Sequence, residues 1–364
     1  MDYFVTRYDI EPPGGAECCV LEDSIMHRGR PVTAGSKIIE NFISPLDATV
    51  VTRLETAGIT ILGKTKMGEF GAAGLFSAAS GHISGAVSAV ADGLARFALC
   101  NDYTGAVGEM AAAGGLYYIH PTYGTVSRYG LIPAVPSMDQ IGIVCKTLSD
   151  GFRALDIISG HDPNDGAMYP AAASPDEKTE NNNRQSTQIR LGVPVNVTGR
   201  DQDAAAVKEF AKNCSAVDFE LKHFGLFAQV MQILCGAELS NNISRYDGIK
   251  FGYRAEGYRD LPGLYKKTRT EAFGPDAKLA AITGAMVLTQ ENYTRYYDKA
   301  MRIRRLISES LDFDKYDAII MPSLELQALP RLCGLPAVTM PYAGGGITLI
   351  ADRRREDILM SAIC

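Results

Sequence analysis

Thr33-Ala34-Gly35-Ser36-Lys37-Ile38-Ile39-Glu40-Asn41-Phe42, Ser44-Pro45-Leu46-Asp47-Ala48-Thr49-Val50-Val51 and Gly63-Lys64-Thr65-Lys66-Met67-Gly68-Glu69-Phe70 follow one another near the start of the chain. Around the second and third blocks, residues 50–57 read as a short amphipathic helix, and Ile59-Thr60-Ile61-Leu62 is a β-type run that ends in Gly63. The alternation continues outward. Residues 86–99 are small, apolar and nearly uncharged, which predicts a buried helix. Residues 148–158, 204–212, 227–239 and 285–310 read as further helices. Strands are expected over 189–194, 216–221, 316–322, 336–341 and 347–351. Alternating strands and helices predict an α/β fold. Residues 171–188 carry Pro175, a charge cluster and Asn181-Asn182-Asn183, and read as a flexible polar loop.

Two later blocks narrow the reading. Pro121-Thr122-Tyr123-Gly124-Thr125-Val126-Ser127-Arg128-Tyr129-Gly130-Leu131 is followed by Ser137-Met138-Asp139-Gln140-Ile141-Gly142. With the first three, these resemble the amidase signature family. Ser244-Arg245-Tyr246-Asp247-Gly248-Ile249-Lys250-Phe251-Gly252-Tyr253-Arg254-Ala255-Glu256, Thr268-Arg269-Thr270-Glu271-Ala272-Phe273-Gly274 and the helix-like 293–306 are similar to the A (amidase) subunit of glutamyl-tRNA(Gln)/aspartyl-tRNA(Asn) amidotransferases. The resemblance implies a mixed, twisted central sheet covered by helices on both faces. It implies a single domain over 1–364, with 1–20 as a short N-terminal extension.

The family hydrolyses amides with a Ser–cis-Ser–Lys arrangement: a neutral lysine as base, a bridging serine and an attacking serine, with backbone N–H groups holding the oxyanion. Counting along the motifs places the lysine position at Glu22, within Glu22-Asp23-Ser24-Ile25. The bridging serine falls on His82, within Ser80-Gly81-His82-Ile83-Ser84-Gly85-Ala86. The attacking serine falls on Ala106, within Asp102-Tyr103-Thr104-Gly105-Ala106-Val107-Gly108-Glu109-Met110. A carboxylate copies a neutral amine only after a large shift in its pKa, and a methyl group forms no acyl-enzyme. Tyr103, Thr104 and Gly105 are what remains of the oxyanion loop. Asp102, Arg128, Asp139 and Gln140 keep the family's identities and are expected to brace loops, as are Tyr123 and Gly124. The substrate-gripping arginine of the family becomes Leu279-Ala280 after Lys278.

These losses predict a catalytically inactive relative that acts as a binding or structural subunit. The alternative is an amidase or other hydrolase rewired around Glu22 and His82. Glu22, His82 and Glu109 could together hold a metal or activate water. The plainer reading is that His82 hydrogen-bonds Glu22, so neither metal nor cofactor is expected. Ser80, Ser84, Thr104 and Cys100 are candidate replacement nucleophiles. None has an evident base beside it in sequence. The serines read as turn formers and Cys100 as core.

Composition sets the remaining bounds. The 364 residues are 46% hydrophobic and 21% charged, with net charge -6, which suits a large globular core. No long basic run or basic-aromatic stripe suggests autonomous nucleic-acid binding. Arg302, Arg304 and Arg305 read as a solvated helix face. The eight cysteines lack C-x-x-C spacing and read as reduced small hydrophobes. No leader pattern or membrane-length apolar run is seen, so a cytoplasmic protein is expected. Against the family, helical cover at the N-terminus and the segments at 69–80 and 322–334 look shortened. Uncovered apolar surface predicts a protein partner: a second copy, an amidotransferase B-type subunit, or an active amidase paralogue.

Overall fold

The computed structural model describes residues 3–11, 17–76, 84–170, 189–324 and 326–363. His82, Ser80 and the 171–188 loop lie outside the described residues. Eleven strands form one sheet: β1 (Phe4–Arg7), β2 (Cys18–Glu22), β3 (Thr60–Thr65), β4 (Phe97–Asn101), β5 (Tyr117–His120), β6 (Ile141–Cys145), β7 (Arg190–Pro194), β8 (Ser215–Phe219), β9 (Ala318–Pro322), β10 (Ala337–Tyr342) and β11 (Gly345–Ala351). Their order is β1-β3-β2-β4-β6-β5-β10-β11-β9-β7-β8. The pairs β3/β2, β2/β4, β9/β7 and β7/β8 are parallel; the others are antiparallel.

Successive residues of a strand point to opposite faces, and both faces are covered. On one side of the N-terminal half, Cys19, Leu21, Phe97 and Leu99 pack with α1 (Thr49–Thr56) and α4 (Leu148–Ile158). Their sequence neighbours Val20, Ala98 and Cys100 pack on the other side with α2 (Gly85–Ala91) and α3 (Ala106–Ala113). In the other half, Ala318, Ile320 and Val338 meet α5 (Asp201–Ala211). Ile319, Met321 and Ala337 meet α6 (Phe227–Ile243) and α8 (Pro275–Val287), which α7 (Leu261–Ala272) precedes. Each fully buried Leu, Ile, Val, Phe or Met among them contributes about 1.5–3 kcal/mol.

Local chemistry fixes several boundaries. The Thr147 hydroxyl oxygen accepts from Asp150 N and donates to its carboxylate, so α4 starts and ends where its periodicity predicts. The other agreements are looser by one to four residues.

Two expected helices differ. Within 86–99, helix α2 ends at Ala91. Gly93, at φ +76°, turns the chain, and Phe97 begins β4, buried on both faces. A uniformly apolar run carries no periodicity to separate these states. The expected 285–310 helix is divided among the end of α8, a short α9 (Gln290–Tyr293), a π-turn over Thr294–Asp298 and α10 (Lys299–Glu309). Within 1–20, read as an extension, β1 and most of β2 are sheet strands. The segment before Gly334 forms the short helix α11 (Ala328–Cys333), and α12 (Glu356–Ile363) follows β11.

Candidate functional site

The parallel strands β2 and β4 end side by side. That register brings Glu22, at the end of β2, against the turn that leaves β4. Glu22 is 2% exposed. Its Oε2 accepts from Asn101 N at 2.9 Å and from Ser24 Oγ at 3.1 Å. Burial outweighs these bonds and pushes the carboxyl up to about 8. The large shift a carboxylate needs at this position is therefore present, but its effect is to leave a protonated acid near neutral pH, and a neutral amine would be a base there.

The turn after β4 is held by Asp102. Its Oδ1 accepts from Gly105 N at 2.7 Å and its Oδ2 from Gly108 N at 3.0 Å. Gly105 sits at φ +98°, and Ala106 opens α3. Ala106 N donates to Thr104 Oγ1 at 3.3 Å, so the N–H groups of Gly105 and Ala106 are both engaged inside the loop. Tyr103 is fully buried and donates to Phe70 O at 3.0 Å. Glu22, Ser84, Asn101, Thr104, Ala106 and Met110 enclose a cavity of about 20 Å³. That is room for about one water.

Three buried groups had no part in the sequence reading. Arg331, 1% exposed, donates from Nη2 to Asp102 Oδ2 and from Nε to Asp102 O, both at 3.1 Å. Its Nη1 reaches Gln327 Oε1 at 2.9 Å, and Gln327 N donates to Thr104 O at 3.0 Å. Lys64, paired with Leu21 in register, has no exposed surface. Its Nζ is 3.6 Å from Asp23 Oδ1 and donates to Ile25 O. Burial pushes this amine down to about 8, against the opposing pull of Asp23. An arginine within Leu329-Pro330-Arg331-Leu332 and a lysine directly after a β-type run were the available signals, since a charge beside or within an apolar run needs a partner if it is buried.

Comparison with known proteins agrees with the geometry. The family described as Amidase matches residues 19–332. The chain belongs to the amidase family. The A subunit of glutamyl-tRNA(Gln) amidotransferase from Lachnoclostridium phytofermentans is 34% identical over 367 residues, covering 88% of this chain and 74% of its own length. The protein of the same name from Acinetobacter baumannii is 33% identical over 396 residues, covering 94% and 80%. The crystal structure of the corresponding Thermotoga maritima protein superposes with a TM-score of 0.72 at 24% identity, over 98% of this chain and 85% of that one. A Stenotrophomonas maltophilia peptide amidase gives 0.72 at 22% identity, over 95% and 81%. The fold is thus the amidase fold, and the chain resembles the amidotransferase A subunit.

The residues expected to brace loops make the following bonds. Arg128 grips Asp165 with Nε and Nη2 at 3.0 and 2.8 Å and donates to Tyr123 Oη at 2.9 Å. Asp139 accepts from Ala134 N, Val135 N and Asn101 Nδ2. Gln140 Oε1 accepts from Gly124 N at 3.3 Å. Ser84 caps α2, and Cys100 is buried within β4. Glu109 is ion-paired to Arg200 at 3.1 Å and does not line the cavity beside Glu22. Among the described residues no group of three His, Cys, Asp or Glu could hold a metal. Leu279 is exposed and Ala280 buried on α8. The reading of Arg302, Arg304 and Arg305 as one solvated face is corrected. Arg302 and Arg305 pair with Asp298 and Glu309 on the surface, whereas Arg304 turns inward to Ser137 and Leu332.

Proposed function

We propose that this member of the amidase family is catalytically inactive and serves as a binding or structural subunit. The observation that carries the reading is Ala106. It opens α3 where the resemblance assigns the attacking serine, and its methyl group has no lone pair to give. The cavity of about 20 Å³ beside it supports the same reading, because an amide substrate needs far more room. Residues 1–364 are taken as one domain.

The partner is a protein of the amidotransferase type. Two relatives carry names that make them part of such a multi-subunit enzyme. Helix α8 turns Leu279, Ile282 and Met286 to solvent at 44%, 67% and 46% exposure, an apolar stripe at helical spacing. No helix of the described residues is long and apolar enough to cross a membrane.

Glutaminase, asparaginase and simple amidase assays of the full chain test the proposal. Background rates are expected, with no change in Glu22→Gln. Ala106→Ser alone is also expected at background. Turnover by the native chain that falls on Glu22→Gln would instead support the second reading, an enzyme that uses the raised Glu22 carboxyl as its acid.

A further inference from the structure

A cleft of about 600 Å³ opens where α10 and α11 meet the turn after β11. Arg304, Arg305, Arg353, Tyr123, Tyr169 and Cys333 are among its walls, and none of these lines the cavity beside Glu22. No aspartate or glutamate is among the described residues that line it. Its volume lies in the range of small-molecule sites.

The arginines are built into the cleft rather than scattered over it. Arg304 donates from Nε to Leu332 O at 2.7 Å, and from Nη1 and Nη2 to Ser137 Oγ and O at 3.0 Å. Arg353 donates from Nε and Nη2 to Cys333 O at 3.1 and 2.8 Å. Both guanidinium groups therefore cap the last carbonyls of α11, which accounts for their positions. It does not account for their charge. A guanidinium has five N–H donors. The three bonds of Arg304 and two of Arg353 leave two and three N–H groups unspent. Neither arginine has an ion-pair partner among the described residues. The acid behind Arg304 is Glu238, and it is engaged by Ser137 N at 2.9 Å and Ser137 Oγ at 2.5 Å. Arg305 stands on the lip, with Glu309 at 2.6 Å as its exposed partner. Arg354, beside Arg353 in sequence, lies over the Tyr169 ring at 5.2 Å.

We propose that this cleft is an anion site that takes a phosphorylated small molecule. Forked N–H groups held by backbone carbonyls match the tetrahedral oxygens of a phosphate. A cluster of cations with no carboxylate among the described residues that line it suits a doubly charged group better than a single carboxylate.

Titration calorimetry of the full chain with inorganic phosphate, AMP and adenosine tests it. One phosphate or one AMP is expected to bind per chain, and adenosine not at all. Tighter binding of AMP assigns the site to a nucleotide, and equal binding assigns it to phosphate itself. Arg353→Met and Arg305→Glu should each weaken binding by about ten-fold, while Arg302→Met, outside the cleft, leaves it unchanged. Arg305 holds no backbone carbonyl, so Arg305→Glu keeps the test decisive if Arg353→Met unfolds. Absence of binding by phosphate and AMP at about 1 mM, or binding indifferent to Arg305→Glu, overturns the proposal.

Discussion

Arg331 and Asp102 form an ion pair at 3.1 Å with both side chains excluded from water. The pair ties α11 to the turn that launches α3, because Asp102 also accepts the Gly105 and Gly108 N–H groups. Removing the cation leaves a buried carboxylate uncompensated. Arg331→Met is expected to cost about 3–5 kcal/mol, read as a lower urea midpoint. A loss below about 1 kcal/mol would mean the pair is not what joins the two elements.

Glu22 gives the protein a pH-dependent stability of defined sign. Its carboxyl titrates near 8 when folded against an ordinary 4.5. Between those values the folded state holds a proton that the unfolded state has lost, so stability falls as pH rises through that window and levels off above it. Glu22→Gln removes the slope. The variant should gain on the native chain by on the order of 5 kcal/mol from the acid to the alkaline end. Parallel stability curves for the two proteins would show that Glu22 ionises normally.

Gly105 is required by geometry as well as by its φ of +98°. A Cβ there would lie 2.6 Å from Gln327 Cβ and 2.8 Å from Gln327 N. The Gln327 backbone is fixed by its bond to Thr104 O and has no slack to move. Gly105→Ala is expected to lower stability by about 2–4 kcal/mol. Thermal unfolding unchanged from the native chain would contradict the close approach.

Ile282 separates surface association from folding. At 67% exposure it contributes little to the core. Ile282→Asp should leave the unfolding free energy within about 0.5 kcal/mol and weaken capture of a protein partner by about ten-fold or more. Equal capture by the native and variant chains would move the docking face away from α8.

Much of the architecture was legible because helix and strand periods differ. Residues 148–158 gave a helix whose ends match the structure, since Thr147 caps it and its apolar face is regular. Residues 86–99 failed because Phe97–Asn101 is buried on both faces and has no alternation to read. Motif spacing could be counted to Glu22 and Ala106, and the structure brings these two residues to one small cavity. Arg331 and Lys64 were missed because their roles depend on partners: Asp102 lies 229 residues from Arg331 in sequence, and Lys64 meets Asp23 only through the pairing of β2 and β3. The environment that raises the Glu22 carboxyl is likewise a product of burial, which spacing alone does not reveal.

The pairing of β5 with β10 sets the timetable of folding. Strands β1 to β6 belong to the first 145 residues, and the outer edge of β5 is closed only by Ala337, Val338 and Thr339. At synthesis rates of roughly 5–20 residues per second, that edge stays open on the nascent chain for on the order of ten seconds or longer. A half-built sheet with unsatisfied backbone groups is a template for the wrong neighbour. The late arrival of β10 therefore makes the β5 edge the point of this sheet most open to mispairing during synthesis.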